Sequence, residues 1–434
     1  MDAIVAGLTV LLLILLFLGS GVWVFIGLLL VSTSGLFLVL DFPAHRIGAI
    51  LGKILFRSAS SWELAAIPLF IWMGEMILRT DISSKLFRGL APLVRHIPGG
   101  LIHTNVVGST LFAAVSGSSA ATTATVGKIT SVELKRRGYD EKLSIGSLAG
   151  AGSLGLLIPP SIVMIIYGVL AEVSISQLFA AGVLPGLLVA FLYSAYIALR
   201  CKINPALAPK NTDDATTVFQ SFKDLSPVLG LIIIVLGAIY SGLATPSEAA
   251  AVGVLGTLVL VIGTGQMSWK MITESLMGAV RSSAMVCSIL VAAAFLSTAM
   301  GYMHVPQDVA TAIAALDIGP YGLIMILAVF YIVLGLFLDG ISIVVMSLPI
   351  TLPPIIAMGF DPIWFGVFLV LMVELGQMTP PVGFNLFVLQ GLTGIPVNRV
   401  AIAALPFFIL MGAAVAIITI WPEIALWLPQ ILFK

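Results

Sequence analysis

The chain has 434 residues, 60% hydrophobic and 9% charged, with 20 basic and 20 acidic side chains that sum to a formal net charge of zero. A soluble domain carries roughly 25% charged residues, so a water-soluble globular fold is excluded. No basic excess points to nucleic acid, and two cysteines, Cys201 and Cys287, make neither a disulfide framework nor a metal cluster.

Many apolar runs reach the roughly 20 residues that span a bilayer, and none shows the alternation of a β-barrel. The class expected is an all-α polytopic membrane protein. Residues 4–18 lack a basic start and a small-residue cleavage site, so they read as a retained helix. Apolar runs follow at 21–40 and 63–79. Between them, Arg46, Lys53 and Arg57 alternate with apolar residues at helical spacing, which predicts a helix lying along the interface. Ser83–His96 reads the same way. The stretch 101–132 is broken by a polar knot, Ser116-Gly117-Ser118-Ser119, into arms too short to cross comfortably, so it is expected to be a re-entrant hairpin. Lys128, Lys135, Arg136, Arg137 and Lys142 form the densest basic loop, which places it in the cytoplasm. A broken helix is expected over 143–170 and a span over 178–199.

The polar linker 201–225 divides a first repeat, 1–200, from a second, 226–434. The second half reads as runs at 226–241 and 246–265, an interfacial piece near 268–280, and a span at 282–303. A hairpin at 319–357, a broken helix at 362–391 and a span at 399–421 complete it. Counting crossings from the cytoplasmic basic loop leaves both termini outside and gives the halves opposite orientation. That is an inverted-topology repeat of the kind found in secondary transporters. Arg46, Lys53 and Arg57 then fall outside, against the positive-inside trend.

The repeats carry matched motifs. Leu154-Gly155-Leu156-Leu157-Ile158-Pro159-Pro160 returns as Leu375-Gly376-Gln377-Met378-Thr379-Pro380-Pro381, and Asp339-Gly340-Ile341-Ser342 precedes the second copy as the serine knot precedes the first. A helical proline removes the bond to the carbonyl four residues earlier and pushes its predecessor toward extended geometry. Pro159 and Pro160 therefore free the carbonyls of Gly155 and Leu156, and Pro380 and Pro381 those of Gly376 and Gln377, with Ile158 and Thr379 marking the breaks. Freed carbonyls in a bilayer need a partner. A hard cation takes oxygen ligands and suits the negative end of a half-helix, so Na⁺ is expected at two or more sites. The candidate ligands are Ser116, Ser118, Gly155, Ile158 and Pro160 in the first half. In the second they are Asp339, Gly340, Gly376, Met378, Thr379 and Pro381. Half-helix N-termini at the tips favour an anionic group, and Ser119, Thr122, Ser161, Ser342 and Asn385 are the candidates to orient it.

Blander readings exist for each feature. A single Gly-x-x-x-Pro-Pro is more often a packing kink, and only its duplication beside a matched knot reverses that. Asp339 and Glu374 are mid-membrane carboxylates, which are rare and usually functional, although Glu374 could simply satisfy backbone. Glu75 and Arg79 read as an ordinary ion pair, and His103 as an interfacial residue.

Ser116-Gly117-Ser118-Ser119-Ala120-Ala121-Thr122, Ser153 through Ser161 and Gly376 through Gly383 resemble the large membrane subunit of TRAP (tripartite ATP-independent periplasmic) transporters. The resemblance spans essentially the whole chain. It implies an elevator-type ion-transporter fold, Na⁺ coupling, a small four-helix membrane partner and a periplasmic substrate-binding protein. It also implies residence in a bacterial inner membrane and uptake of a small organic anion, a carboxylate or sulfonate such as sialic acid or a C4-dicarboxylate. The small subunit is expected not to be fused at the N-terminus, because residue 1 begins at the first large-subunit helix. A self-sufficient Na⁺/dicarboxylate symporter would usually show Ser-Asn-Thr at its tips, which this chain lacks. An intramembrane enzyme would need clustered titratable groups, and four scattered histidines do not supply them. Closed hairpins disfavour a continuous pore.

Overall fold

Helices start where a side-chain oxygen can hold their first free N–H groups. Asp140 takes the N–H of Leu143, Ser174 that of Gln177, and Ser268 that of Met271. Thr245 and Glu248 cap one another reciprocally. The computed structural model describes residues 9, 12–17, 19–209, 218–315, 318–381 and 383–433, and every regular element among them is helical. Most of the helix expected at 4–18 and the middle of the linker lie outside the described residues.

The first half contains α1 (Val24–Leu40), α2 (Ala44–Ala59), α3 (Ala66–Leu78) and α4 (Ile82–Val94). A hairpin of α5 (His103–Ser116) and α6 (Ser119–Arg136) follows, then an interrupted helix with arms α7 (Glu141–Gly152) and α8 (Ile162–Ala171), then α9 (Ile175–Ile203). The second half has α10 (Val218–Tyr240), α11 (Pro246–Gly263), α12 (Trp269–Tyr302) and α13 (Val305–Ala315). A second hairpin, α14 (Pro320–Gly335) and α15 (Gly340–Ala357), precedes a second interrupted helix, α16 (Pro362–Gln377) and α17 (Phe384–Thr393). Helices α18 (Val397–Ile420) and α19 (Glu423–Leu432) close the chain. The order hairpin, interrupted helix, long helix thus occurs twice.

Packing divides the helices into two bundles. In one, α12 runs along α1, α2 and α3, α11 lies on α3, and α10 covers α4. In the other, α7 packs on α18, α6 on α17, α14 on α16, α8 on α15, and α9 on both α16 and α19. The interrupted helices are the centre of this second bundle. Every residue from Leu143 to Gly152 in α7 and from Ile363 to Gln377 in α16 is buried. A helix apolar on all sides belongs at such a centre. Trp364 and Phe368 stack there with ring centroids 5.5 Å apart.

Six helices among the described residues are long and apolar enough to cross a membrane, or seven if the bent pair Ala44–Ala59 and Trp62–Leu78 is one span. One of the six is Gly340–Ala357, so the second hairpin's return arm has the length of a span. The first hairpin's arms do not qualify.

Several sequence expectations change. The interfacial piece at 268–280 and the span at 282–303 are one helix, α12, because Arg281 sits on its exposed face without interrupting it. The run expected at 226–241 is part of a longer helix, α10, whose described part starts at Val218, and α13 and α19 had no counterpart in the sequence reading. The apolar face of α4, with Leu86, Phe87 and Leu90, is buried against protein. His103 is buried, and a ring nitrogen lies 2.9 Å from the Pro98 carbonyl. The Arg79–Glu75 pair forms as read, at 3.0 Å, and Arg79 also reaches Glu274.

Candidate functional site

The first tip is built by a left-handed glycine. α5 ends at Ser116, and Gly117 at φ +59° sends its N–H to Ala113. A Cβ at Gly117 would sit 2.9 Å from the Pro160 carbonyl, so a glycine is needed both for the turn and for the approach. The Gly117 carbonyl accepts the N–H of Ile162 at 3.4 Å, which joins tip to break. Ser118 caps α6 by accepting the N–H of Ala121. The hydroxyls of Ser116 and Thr122 lie 2.8 Å apart.

The break beneath is a turn, not a kink. α7 stops at Gly152, a 3-10 turn covers Ser153–Gly155, and α8 restarts at Ile162 with Ser161 as its cap. Gly155 is pressed on the tip: a Cβ there would lie 2.5 Å from Ser119 Cα and 2.6 Å from the Ser118 carbonyl carbon. The helix therefore ends well before Ile158, where the sequence alone set the break. The Leu154 carbonyl collects the N–H groups of both Leu157 and Ile158.

The second tip is organised by Asp339. Its carboxylate caps α15, taking the N–H groups of Ile341 and Ser342 and the Ser342 hydroxyl. Asp339 is exposed on the described chain, and the cap gives its carboxylate three local donors. Aligned knot on knot, Asp339 would stand opposite Ser116. The caps correct that register: Pro159 lies 41 positions after Ser118, and Pro380 lies 41 positions after Asp339. Ser118 is thus the mate of Asp339, and Ser119 the mate of Gly340.

At the second break Thr379 fills the position that Pro380 leaves open. Its N–H and its hydroxyl both reach the Gly376 carbonyl, at 3.1 Å and 2.7 Å. A carbonyl has two lone pairs, so Gly376 is not the free acceptor expected from the proline argument. Gly376 is packed back to back with Gly335, where a Cβ would meet backbone at 2.3 Å. Both prolyl pairs, Pro159-Pro160 and Pro380-Pro381, are joined by cis bonds.

The structure brings Ser116, Ser118, Ser119, Thr122, Gly155 and Pro160 into one cluster, and Asp339, Gly340 and Ser342 into another. The Ser119 hydroxyl donates to Gln377 Oε1 at 2.8 Å, which ties the first tip to the second break. Asn385, early in α17, is fully buried with neither amide atom hydrogen bonded. Two residues not among the expected ion and anion ligands are central. Glu374 is fully buried and accepts the Leu156 N–H through Oε1 at 3.1 Å, while Oε2 has no partner. Gln377 is the other; its signal was a polar residue standing where the first motif has Leu156.

These features can hold a small cation on neutral oxygens and present hydroxyls and helix N-termini to an anion. Residues 9–424 match the family model described as "Tripartite ATP-independent periplasmic transporter, DctM component". The chain is 34% identical over 400 residues to the C4-dicarboxylate TRAP transporter large permease protein DctM of Pseudomonas aeruginosa, covering 92% of this chain and 93% of that one. It is 32% identical over 374 residues to the ectoine/5-hydroxyectoine large permease protein UehC of Ruegeria pomeroyi, covering 86% and 87%. Its fold is similar to that of the YdaH transporter of Alcanivorax borkumensis, with TM-score 0.64 at 14% identity over 87% of each chain. The chain belongs to the DctM family of TRAP transporters, as a large permease subunit and not an enzyme.

Proposed function

We propose that this permease subunit takes up a small organic anion, a carboxylate or sulfonate, coupled to Na⁺ moving down its gradient. The observation that carries the reading is the seating of each hairpin tip on a helix break inside one buried bundle, while α1–α4 and α10–α12 pack as another. Ser116, Ser118 and the backbone oxygens of 155–160 would hold one Na⁺. Asp339, Gly340, Met378, Thr379 and Pro381 would hold a second, with Gly376 contributing only if Thr379 turns away. Ser119, Thr122, Ser161, Ser342 and Asn385 would orient the anion between them. The bundle with the tips moves against the other bundle, an elevator motion between two packed bodies.

The P. aeruginosa relative is a C4-dicarboxylate protein and the R. pomeroyi relative an ectoine protein, so substrate choice within the family is broad. A periplasmic binding protein delivers the substrate here and a small four-helix subunit completes the membrane complex. The halves are inverted repeats with both termini periplasmic. The test is uptake into liposomes holding this chain and its small subunit. Uptake should require an inward Na⁺ gradient and added binding protein together. Uptake without Na⁺ would overturn the coupling; uptake without the binding protein would make the chain a self-sufficient symporter.

A further inference from the structure

Two hydrogen bonds cross between the halves of the chain at the breaks. Ser119 of the first tip donates to Gln377 of the second break, and Glu374, one turn earlier on α16, accepts from Leu156 of the first break. Gln377 touches the other tip as well: a Cβ on Gly340 would sit 2.7 Å from its Nε2. One amide is therefore wedged between the two tips.

We propose that Glu374 and Gln377 form a bridge that couples the first tip and break to the second, so that the two cation sites fill together. This rests on the reading above that each break and tip holds Na⁺. The bridge is buried, with Glu374 0%, Ser119 2% and Gln377 5% exposed, so water cannot replace a lost partner. An ion that orders the first tip fixes Ser119, and Ser119 fixes the Gln377 amide against Gly340. The reverse path runs through the same atoms, as the reciprocity of coupled binding requires. The repeat makes the bridge stand out from ordinary packing. The mate of Gln377 is Leu156 and the mate of Glu374 is Ser153. The contact of Gly340 with Leu156, 3.4 Å from a Cβ to Cδ1, is the apolar counterpart of Ser119 with Gln377. Packing alone is served by the apolar version, whereas the polar version adds a directional link between halves. Glu374 and Gln377 are positioning residues, acting through the tips rather than on the ion.

The experiment is a Na⁺ titration of initial uptake by the complete transporter in liposomes at saturating substrate, with Na⁺-dependent melting of the purified protein as a second readout. The wild type should show a Hill coefficient near 2, the ceiling for two coupled sites. Gln377→Met keeps the length of the side chain without its polar atoms. It should bring the coefficient to about 1 and raise half-saturating Na⁺ by roughly fivefold or more. Glu374→Gln retains an oxygen for the Leu156 N–H and should keep the wild-type coefficient, whereas Glu374→Met should not. If the Met variants fail to insert, Ser119→Ala removes the donor at little cost in volume and should lower the coefficient in the same way. A merely structural role would lower the melting temperature and maximal rate and leave the coefficient alone. Wild-type cooperativity in Gln377→Met or Ser119→Ala would overturn the bridge, as would Na⁺-dependent wild-type uptake without cooperativity. Wild-type uptake indifferent to Na⁺ would instead overturn the proposed coupling.

Discussion

Gly155→Ala tests whether the tip must rest on the break. Gly155 lies in the 3-10 turn, and its backbone angles suit alanine. Propensity alone would favour the change, by up to about 1 kcal/mol in a regular helix. The added methyl would lie 2.5 Å from Ser119 Cα and 2.6 Å from the Ser118 carbonyl carbon and oxygen. Carbon atoms make contact at roughly 3.5–4.0 Å, so the overlap is about 1 Å. All three atoms belong to backbone that cannot swing aside. Overpacking costs about 1–3 kcal/mol, and backbone contact on three atoms puts this case at the upper end. If half of that falls on the arrangement with the tip seated, uptake drops by about tenfold, since ~1.4 kcal/mol is a factor of ten. Gly237→Ala is the control, because nothing lies within 4 Å of its Cβ position in α10. Melting temperature and Na⁺-driven uptake are measured for both. Gly155→Ala should lower both, and Gly237→Ala neither. Wild-type melting and uptake in Gly155→Ala would refute the seating of tip on break.

Thr379→Val removes the hydroxyl from the Gly376 carbonyl but leaves its N–H in place. It should cost about 1 kcal/mol of stability, and a large rise in half-maximal Na⁺ is expected only if the hydroxyl can leave the carbonyl for the ion. Asp339→Asn keeps an N-cap, whereas Asp339→Ala loses roughly 1 kcal/mol of helix capping; a ligand role predicts weakened Na⁺ dependence in both, and a pure cap leaves the Asn variant like the wild type. Cysteines at Arg136 and Asp361, in a background without Cys201 and Cys287, should label from opposite sides of intact cells, and same-side labelling would remove the inverted repeat.

The sequence revealed the parts of this fold that are written in local chemistry. Duplicated Pro pairs and polar knots located both hairpins and both interruptions, since proline and glycine act within a few residues of themselves. It was less able to say what those parts touch. The Ser119–Gln377 bond spans 258 positions and the Leu156–Glu374 bond 218, and no periodicity encodes such a contact. Proline logic also misplaced the free carbonyl. Thr379 satisfies Gly376 from three residues away, and a hydroxyl that folds back on its own chain is invisible to a count of lost N–H groups. The pieces 268–280 and 282–303 prove to be one helix, α12, since an exposed charge such as Arg281 on a long helix costs little.

The duplication is imperfect where it matters. With Ser118 and Asp339 as mates, the first half presents serine, leucine and isoleucine at 153, 156 and 158, and the second presents glutamate, glutamine and threonine at 374, 377 and 379. Two identical halves would build two identical sites around a symmetric gap. An asymmetric anion fits a symmetric gap poorly, because each donor would be reproduced on the side where the substrate has no acceptor, and an unpaired buried polar group costs about 1–3 kcal/mol. The breaks avoid that duplication, because the polar side chains at these three positions lie mostly in the second copy while the shared backbone frame is kept. The frame itself is defended by glycine contacts on both sides, Gly155 on Ser118 and Ser119, and Gly376 on Gly335. Geometry is thus held in common between the halves, and chemistry is divided between them.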